Sequence, residues 1–127
     1  MKWPEFFPES CPPQDSSDAT GGVYRLINGS TPGKRDFKSY REINPSKPYE
    51  VPECQVCSLS VYTDKAGIFQ LKNRVPATRK KSVSYGELNA SYGKIKHTPY
   101  KGDSHHSWWV TPESQPWLIF KRITMEI

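Results

Sequence analysis

Apolar positions along this chain come in short runs cut by proline and glycine, and the runs change period. V-Y-R-L-I, from Val23 to Ile27, is β-branched and aromatic and ends at N-G-S, which predicts a strand. Alternation puts Val23, Arg25 and Ile27 on one face and Tyr24 and Leu26 on the other. K-R-D-F-K-S-Y-R-E-I follows the Thr31-Pro32-Gly33 turn and spaces Phe37, Tyr40 and Ile43 by three, which predicts two to three turns of helix stopped at Asn44-Pro45. Cys57 to Thr63 reads as a second strand, with Asp64 as the N-cap of a short helix that buries Ile68 and Leu71 and ends at Val75-Pro76. Three further strand regions follow: Ser82 to Leu88, Gly93 to His97, and the paired segments Ser107 to Val110 and Trp117 to Ile123. W-L-I-F-K-R-I is the most continuous apolar run among them and predicts a central, buried strand.

Before these elements, residues 1–22 carry Pro4, Pro8, Pro12 and Pro13 and then Q-D-S-S-D. Such a stretch predicts an extended arm without a helix or strand of its own. Its Trp3, Phe6 and Phe7 are too apolar to leave in water, so the arm is expected to pack on the domain formed by residues 23–127, or to dock on another protein. The fold expected is α+β: one small domain of short, mostly antiparallel strands with one or two short helices and a long Pro-rich N-terminal arm.

Composition narrows this picture. A chain of 127 residues fits one domain, and 12 prolines with 8 glycines leave no room for a long helix. Only 35% of residues are hydrophobic, so the core must rest on the 4 Trp, 7 Tyr and 5 Phe. No apolar run approaches the roughly 20 residues that span a bilayer, and M-K-W-P-E-F-F-P lacks the apolar centre of a secretory signal; no membrane contact and a cytoplasmic setting are expected. Cys11, Cys54 and Cys57 are odd in number, and in that setting reduced thiols are the expectation.

The net charge of +5 is concentrated. Lys72, Arg74, Arg79, Lys80, Lys81, Lys94, Lys96 and Lys101 face Glu87 alone between residues 72 and 101. Such a field attracts phosphate on a nucleotide or on nucleic acid, or an acidic protein; a solvated lysine face that keeps the domain soluble is the plainer reading.

The rarest side chains crowd into H-T-P-Y-K-G-D-S-H-H-S-W-W, from His97 to Trp109, which holds all 3 histidines. Asp103, His105 and His106 contain the parts of acid–base chemistry, because imidazole titrates near neutrality and a carboxylate fixes its tautomer. Neither a partner nucleophile nor a second, spaced catalytic histidine can be identified from sequence. Cys54-Gln55-Val56-Cys57 has zinc-ligand spacing, but adjacent histidines on a strand face opposite ways, so zinc is not expected. Cys57 reads as a small core residue and Cys54 as a loop thiol. Trp108 and Trp109 beside Tyr100 can stack on a base while lysines hold phosphates, or they fill the core and cover a sheet edge.

Two segments together, V-Y-R-L-I and S-L-S-V-Y-T-D-K-A-G-I-F, resemble the order of motifs in small bacterial ADP-ribosyltransferase-fold proteins. The resemblance implies that Arg25 holds the phosphates of a nicotinamide dinucleotide (NAD), and that Ser58 and Ser60, on a strand like that family's S-T-S, brace the site. It further implies a ring covered by Trp108 or Tyr62 and an acid or base, Glu87, His105 or His106, acting at the ribose. The family's E-x-E or Q-x-E pair has no counterpart here; Glu87 in Y-G-E-L is the candidate single acid, and Glu126 lies close to the end. Against this stand a non-catalytic interaction protein, of the immunity or accessory kind, that docks on an acidic partner, and a nucleic-acid-binding module. The sequence leaves open whether the chain is an enzyme.

Overall fold

A computed structural model describes residues 2–124. Within them the chain forms one seven-stranded sheet carrying a few short helices, an α+β arrangement. The strands are β1 (Ser17–Asp18), β2 (Gly21–Ile27), β3 (Leu59–Tyr62), β4 (Ser82–Leu88), β5 (Gly93–His97), β6 (His105–Val110) and β7 (Lys121–Ile123). The helices are α1 (Tyr40–Ile43), α2 (Glu53–Val56) and α3 (Lys65–Arg74). Spatial order is β1-β5-β6-β3-β2-β4-β7, and every neighbouring pair is antiparallel.

The two faces of the sheet bury different clusters. One holds Val23, Leu59, Val61, Trp108 and Phe120 with Phe37; the other holds Tyr62 and Val83 beneath Ile68 and Phe69 of α3. Trp108 is fully buried between the Phe37 and Phe120 rings, its indole N–H donating to the Tyr92 carbonyl at 2.9 Å. Phe120 lies so close over β4 that a side chain at Gly86 would come within 2.6 Å of its ring, so glycine is required there. Gly93 opens β5 at φ 120°, a conformation that other residues avoid.

Several sequence expectations change. The helix expected over residues 34–43 is broken into a 3-10 turn at Lys34–Phe37 and the single turn α1, because Ser39 is extended and caps α1 with its hydroxyl. Phe37 is buried, whereas Tyr40 and Ile43 are 53% and 54% exposed. The buried central strand expected from Trp117 to Ile123 is not formed. Pro116 starts a 3-10 turn through Leu118, and only Lys121–Ile123 pair, at the sheet edge. The apolar run reflects packing under the sheet, with Phe120 inserted into the core, and not strand burial. Residues 1–22 also hold β1 and the start of β2, and the arm is tied to β5 by Asp15–Lys96 and Asp18–Lys94 ion pairs of 2.8 and 2.7 Å.

The expectation of reduced thiols is corrected as well. Cys11 and Cys54 form a disulfide across Cα atoms 5.5 Å apart, because the arm crosses α2, which carries Cys54. Cys57 stays a buried free thiol, and burial, followed by the nearby Glu53 carboxylate, pushes it up to about 11. No helix among the described residues is long and apolar enough to cross a membrane.

Closing a loop across a sequence separation of 43 should remove denatured-state entropy equivalent to about 4 kcal/mol. Urea unfolding with and without reductant should show a loss of that order, reproduced by Cys11→Ser. Equal stability in both conditions would mean that the bond does not restrain the unfolded chain.

Candidate functional site

β2 and β3 lie side by side but pair only at Tyr24 and Tyr62, after which they separate. The continuation of β2 pairs fully with β4, from Gly21–Leu88 to Ile27–Ser82, so the opening is confined to the middle of the sheet. Arg25 reaches into it. Its Nη1 donates to the Ser60 carbonyl at 2.7 Å and its Nε to the Asp36 carbonyl at 2.8 Å, with the Phe37 ring 5.7 Å from the guanidinium carbon. The guanidinium thereby satisfies a β3 carbonyl on the side where the ladder has parted. Burial lowers Arg25 to about 10, which still leaves it charged at neutral pH.

A cavity of about 520 Å³ lies over this split. Leu26, Ile68, Leu71 and Val75 give it apolar walls, and Arg25, Ser58 and Ser60 line it together. Arg35, Lys38, Arg74, Lys81 and Lys101 also border it, against Asp36 as the only acid in its lining among the described residues. The Asp36 carboxylate is already used, accepting from the Asn28 and Gly33 amides at 2.9 and 2.8 Å. Exposed Tyr40 stands at the opening, and Lys101 Nζ lies 5.7 Å from its ring centroid and 5.5 Å from that of exposed Tyr100. A cavity with apolar walls and a cationic border suits a ligand with a flat or apolar part and a multiply charged anion.

Adjacent residues of β6 face opposite ways. His105 is fully buried behind β3, its Nδ1 2.7 Å from the Thr98 carbonyl and its Nε2 2.9 Å from Ser60 Oγ. Thr98 Oγ1, Ser107 Oγ and the Gln55 amide continue this chain of hydrogen bonds toward α2. Burial pushes His105 down to about 4, with Lys101, His106 and His97 adding smaller effects in the same direction. His106 lines a second cleft of about 590 Å³, with His97, Asp103, Ser104, Arg74 and Lys101. Tyr62, Arg74 and Lys101 belong to both cavities, so the two are neighbours.

His97, which the sequence did not single out as a spaced second histidine, is paired with His106 by the β5–β6 register, their rings 4.8 Å apart. Each has one nitrogen committed to a backbone carbonyl, His97 Nε2 to Asp103 and His106 Nδ1 to Ser104. The signal in the sequence was the near-symmetric placing of the two around the Lys101-Gly102 turn, visible only once that turn is known to close a hairpin.

The other candidates lie apart. Glu87 sits exposed at the far end of β4, opposite Gly22, where it accepts from Tyr85. Trp108 is sealed in the core on the face that carries Leu59 and Val61, so it cannot cover a ring in the cavity; Tyr62 does line it. Asp103 borders the second cleft and makes no side-chain hydrogen bond to either histidine. Glu126 is outside the described residues. Among the described residues no group of three or more His, Cys, Asp or Glu side chains is placed to hold a metal ion. No family model, no curated protein and no solved structure matches the chain.

His105 sets a pH dependence whose sign is determined. Its pKa is lowered from 6.5 to about 4 in the fold, so between these values the unfolded chain binds the extra proton. Its contribution to stability is complete above pH 6.5 and is lost as pH falls toward 4. Lowering pH from about 7.5 to about 4.5 should therefore cost about 2–3 kcal/mol in urea unfolding, and His105→Gln should remove that part of the dependence. Parallel pH profiles for the two proteins would refute a neutral buried imidazole.

Proposed function

We propose that the cavity over the β2–β3 split binds a nicotinamide dinucleotide through its pyrophosphate, in the manner that the ADP-ribosyltransferase resemblance implies. The observation that carries this reading is the gathering of Arg25, Ser58 and Ser60 on one cavity whose border is cationic and whose one acid among the described residues, Asp36, is already hydrogen-bonded. Arg25 and the flexible Arg35, Lys38, Lys81 and Lys101 meet the phosphates, while Leu26, Ile68, Leu71 and Tyr62 take an aromatic ring.

The reading is one of binding. Glu87, the acid that the resemblance assigns to ribose chemistry, is remote from the cavity, and Asp36 has both carboxylate oxygens engaged. A second reading, binding of single-stranded nucleic acid, is favoured by exposed Tyr40 and Tyr100 on either side of Lys101, since bases stack on such rings while lysine meets the backbone.

Titration calorimetry with NAD, ADP-ribose and inorganic pyrophosphate at low salt decides between them. NAD should bind with a micromolar dissociation constant that weakens as salt rises. Joint replacement Arg35→Ala with Lys81→Ala should weaken it at least about tenfold, the equivalent of 1.4 kcal/mol, without changing the melting temperature. Arg25→Ala should abolish binding, with circular dichroism as the check on folding. Absence of binding to all three ligands at millimolar concentration overturns the proposal, and binding of an oligonucleotide alone moves the site to the second reading.

A further inference from the structure

Anion binding leaves the hydrogen bond between Ser60 and His105 without a role. A carbonyl oxygen can only accept, so the 2.7 Å contact to Thr98 requires His105 Nδ1 to carry the ring proton. Nε2 then holds the lone pair, and Ser60 Oγ donates to it at 2.9 Å. A hydroxyl, an imidazole and an acceptor that fixes the imidazole are the parts by which a serine becomes a nucleophile. Here the third part is a backbone carbonyl, with Thr98 Oγ1 also 3.0 Å from Nδ1.

Accessibility agrees with that division of labour. Ser60 is partly exposed and lines the cavity, whereas His105 is fully buried behind it, so an electrophile in the cavity meets the serine before the base. Arg25 Nη1 donates to the Ser60 carbonyl, and among the described residues Nη2 makes no hydrogen bond. The guanidinium thus lines the same cavity as Ser60 and keeps one N–H free of a partner among the described residues, a positive charge within the cavity where an attacked carbonyl gathers negative charge.

We infer that Ser60 is the nucleophile of an acyl-transfer site with His105 as its general base, acting on anionic carboxylic esters. The acyl part lies on Leu26, Ile68 and Leu71, and the charge is met by Arg35, Lys81 and Lys101. Ser60 Oγ forms a bond to the carbonyl carbon as its proton passes to His105 Nε2, and the π pair moves onto the carbonyl oxygen. Collapse breaks the bond to the leaving alcohol, which takes the proton from Nε2, and an acyl ester of Ser60 remains. Water then repeats the sequence: its proton goes to Nε2, its oxygen joins the carbonyl carbon, and Ser60 Oγ departs with that proton. Ester and water become acid and alcohol. Among the described residues no carboxylate contacts His105 to stabilise the imidazolium, so the adduct should form more readily than it turns over.

This inference is independent of the dinucleotide reading, because it uses the cavity wall and three hydrogen bonds whatever the natural ligand. A fluorophosphonate probe tests it, since attack forms a Ser–O–P bond and expels fluoride while the proton passes to the base. Mass spectrometry of the treated protein should find one adduct, mapped to Ser60 and absent from Ser60→Ala. His105→Gln should react roughly 100-fold more slowly. Should that variant fail to fold, the native protein supplies a second measurement. Among the described residues the titratable groups that bear on His105 are Tyr62, Tyr100, Lys101, His97 and His106, and with its pKa held at about 4 the base stays neutral across pH 5 to 8. Labelling of Ser60 should then be nearly level across that range. No adduct, an adduct on another serine, or a rate falling about tenfold per pH unit as for hydroxide-dependent attack would each overturn the inference.

Discussion

Everything at the centre of this molecule depends on the parting of β2 from β3 and on the one side chain that makes the parting tolerable. A sheet that opens in its interior leaves backbone carbonyls without ladder partners, and unpaired buried carbonyls are costly. Arg25 answers this with two N–H donors, one directed at the Ser60 carbonyl of β3 and one at the Asp36 carbonyl in the 3-10 turn that follows β2. A lysine has a single ammonium on a flexible stem and would not join two carbonyls in fixed directions. The same guanidinium that repairs the ladder leaves positive charge on the cavity wall, so structural repair and anion attraction are properties of one group.

How much of this was legible in the sequence follows from the range of the forces involved. Ser82–Leu88 and Gly93–His97 were readable to the residue because alternation and flanking turns are local signals. The Asp64 cap of α3 was local too, its carboxylate 3.2 Å from the Gly67 amide. Alternation put Arg25 on one face with Val23 and Ile27, yet its partners are backbone carbonyls, which no sequence pattern marks. W-L-I-F misled because a continuous apolar run signals burial without saying whether strand pairing or packing supplies it. Here Pro116 denies the first residues a ladder, and Phe120 is buried by contact with Gly86. The Ser60–His105 pair was out of reach altogether, since it depends on the β3–β6 register, in which Tyr62 lies opposite His105 and Ser60 opposite Ser107.

The basic stretch illustrates why charge counted along a chain differs from charge in space. Lys94 and Lys96 of β5 are turned to the arm, where Asp18 and Asp15 meet them, and Lys72 Nζ donates to the Arg79 carbonyl. What remains toward the cavity comes from distant segments, Arg35 and Lys38 before α1, Arg74 at the end of α3, Lys81 before β4 and Lys101 in the β5–β6 turn. The arm thus removes part of the positive field at one edge of the sheet, which leaves the concentration of charge over the split.

Proton accounting then limits what the two serines of the cavity can do. Each hydroxyl has one proton to donate. Ser60 gives its proton to His105, and Ser58 gives its own to the Gln55 carbonyl at 2.7 Å. Phosphate oxygens accept only, so neither serine can donate to a bound pyrophosphate without breaking a bond to the protein. On the proposed reading an anion would have to be held by guanidinium and ammonium groups, and the serines would only brace the strand that carries them. For Ser60 the same commitment has the opposite sign toward an electrophile, because a hydroxyl whose proton already points at a basic nitrogen is prepared to lose it. The phosphate binding and the acyl transfer proposed for this cavity would therefore call on different atoms of one wall: the cations for the charge, and the Ser60 oxygen lone pair for the bond.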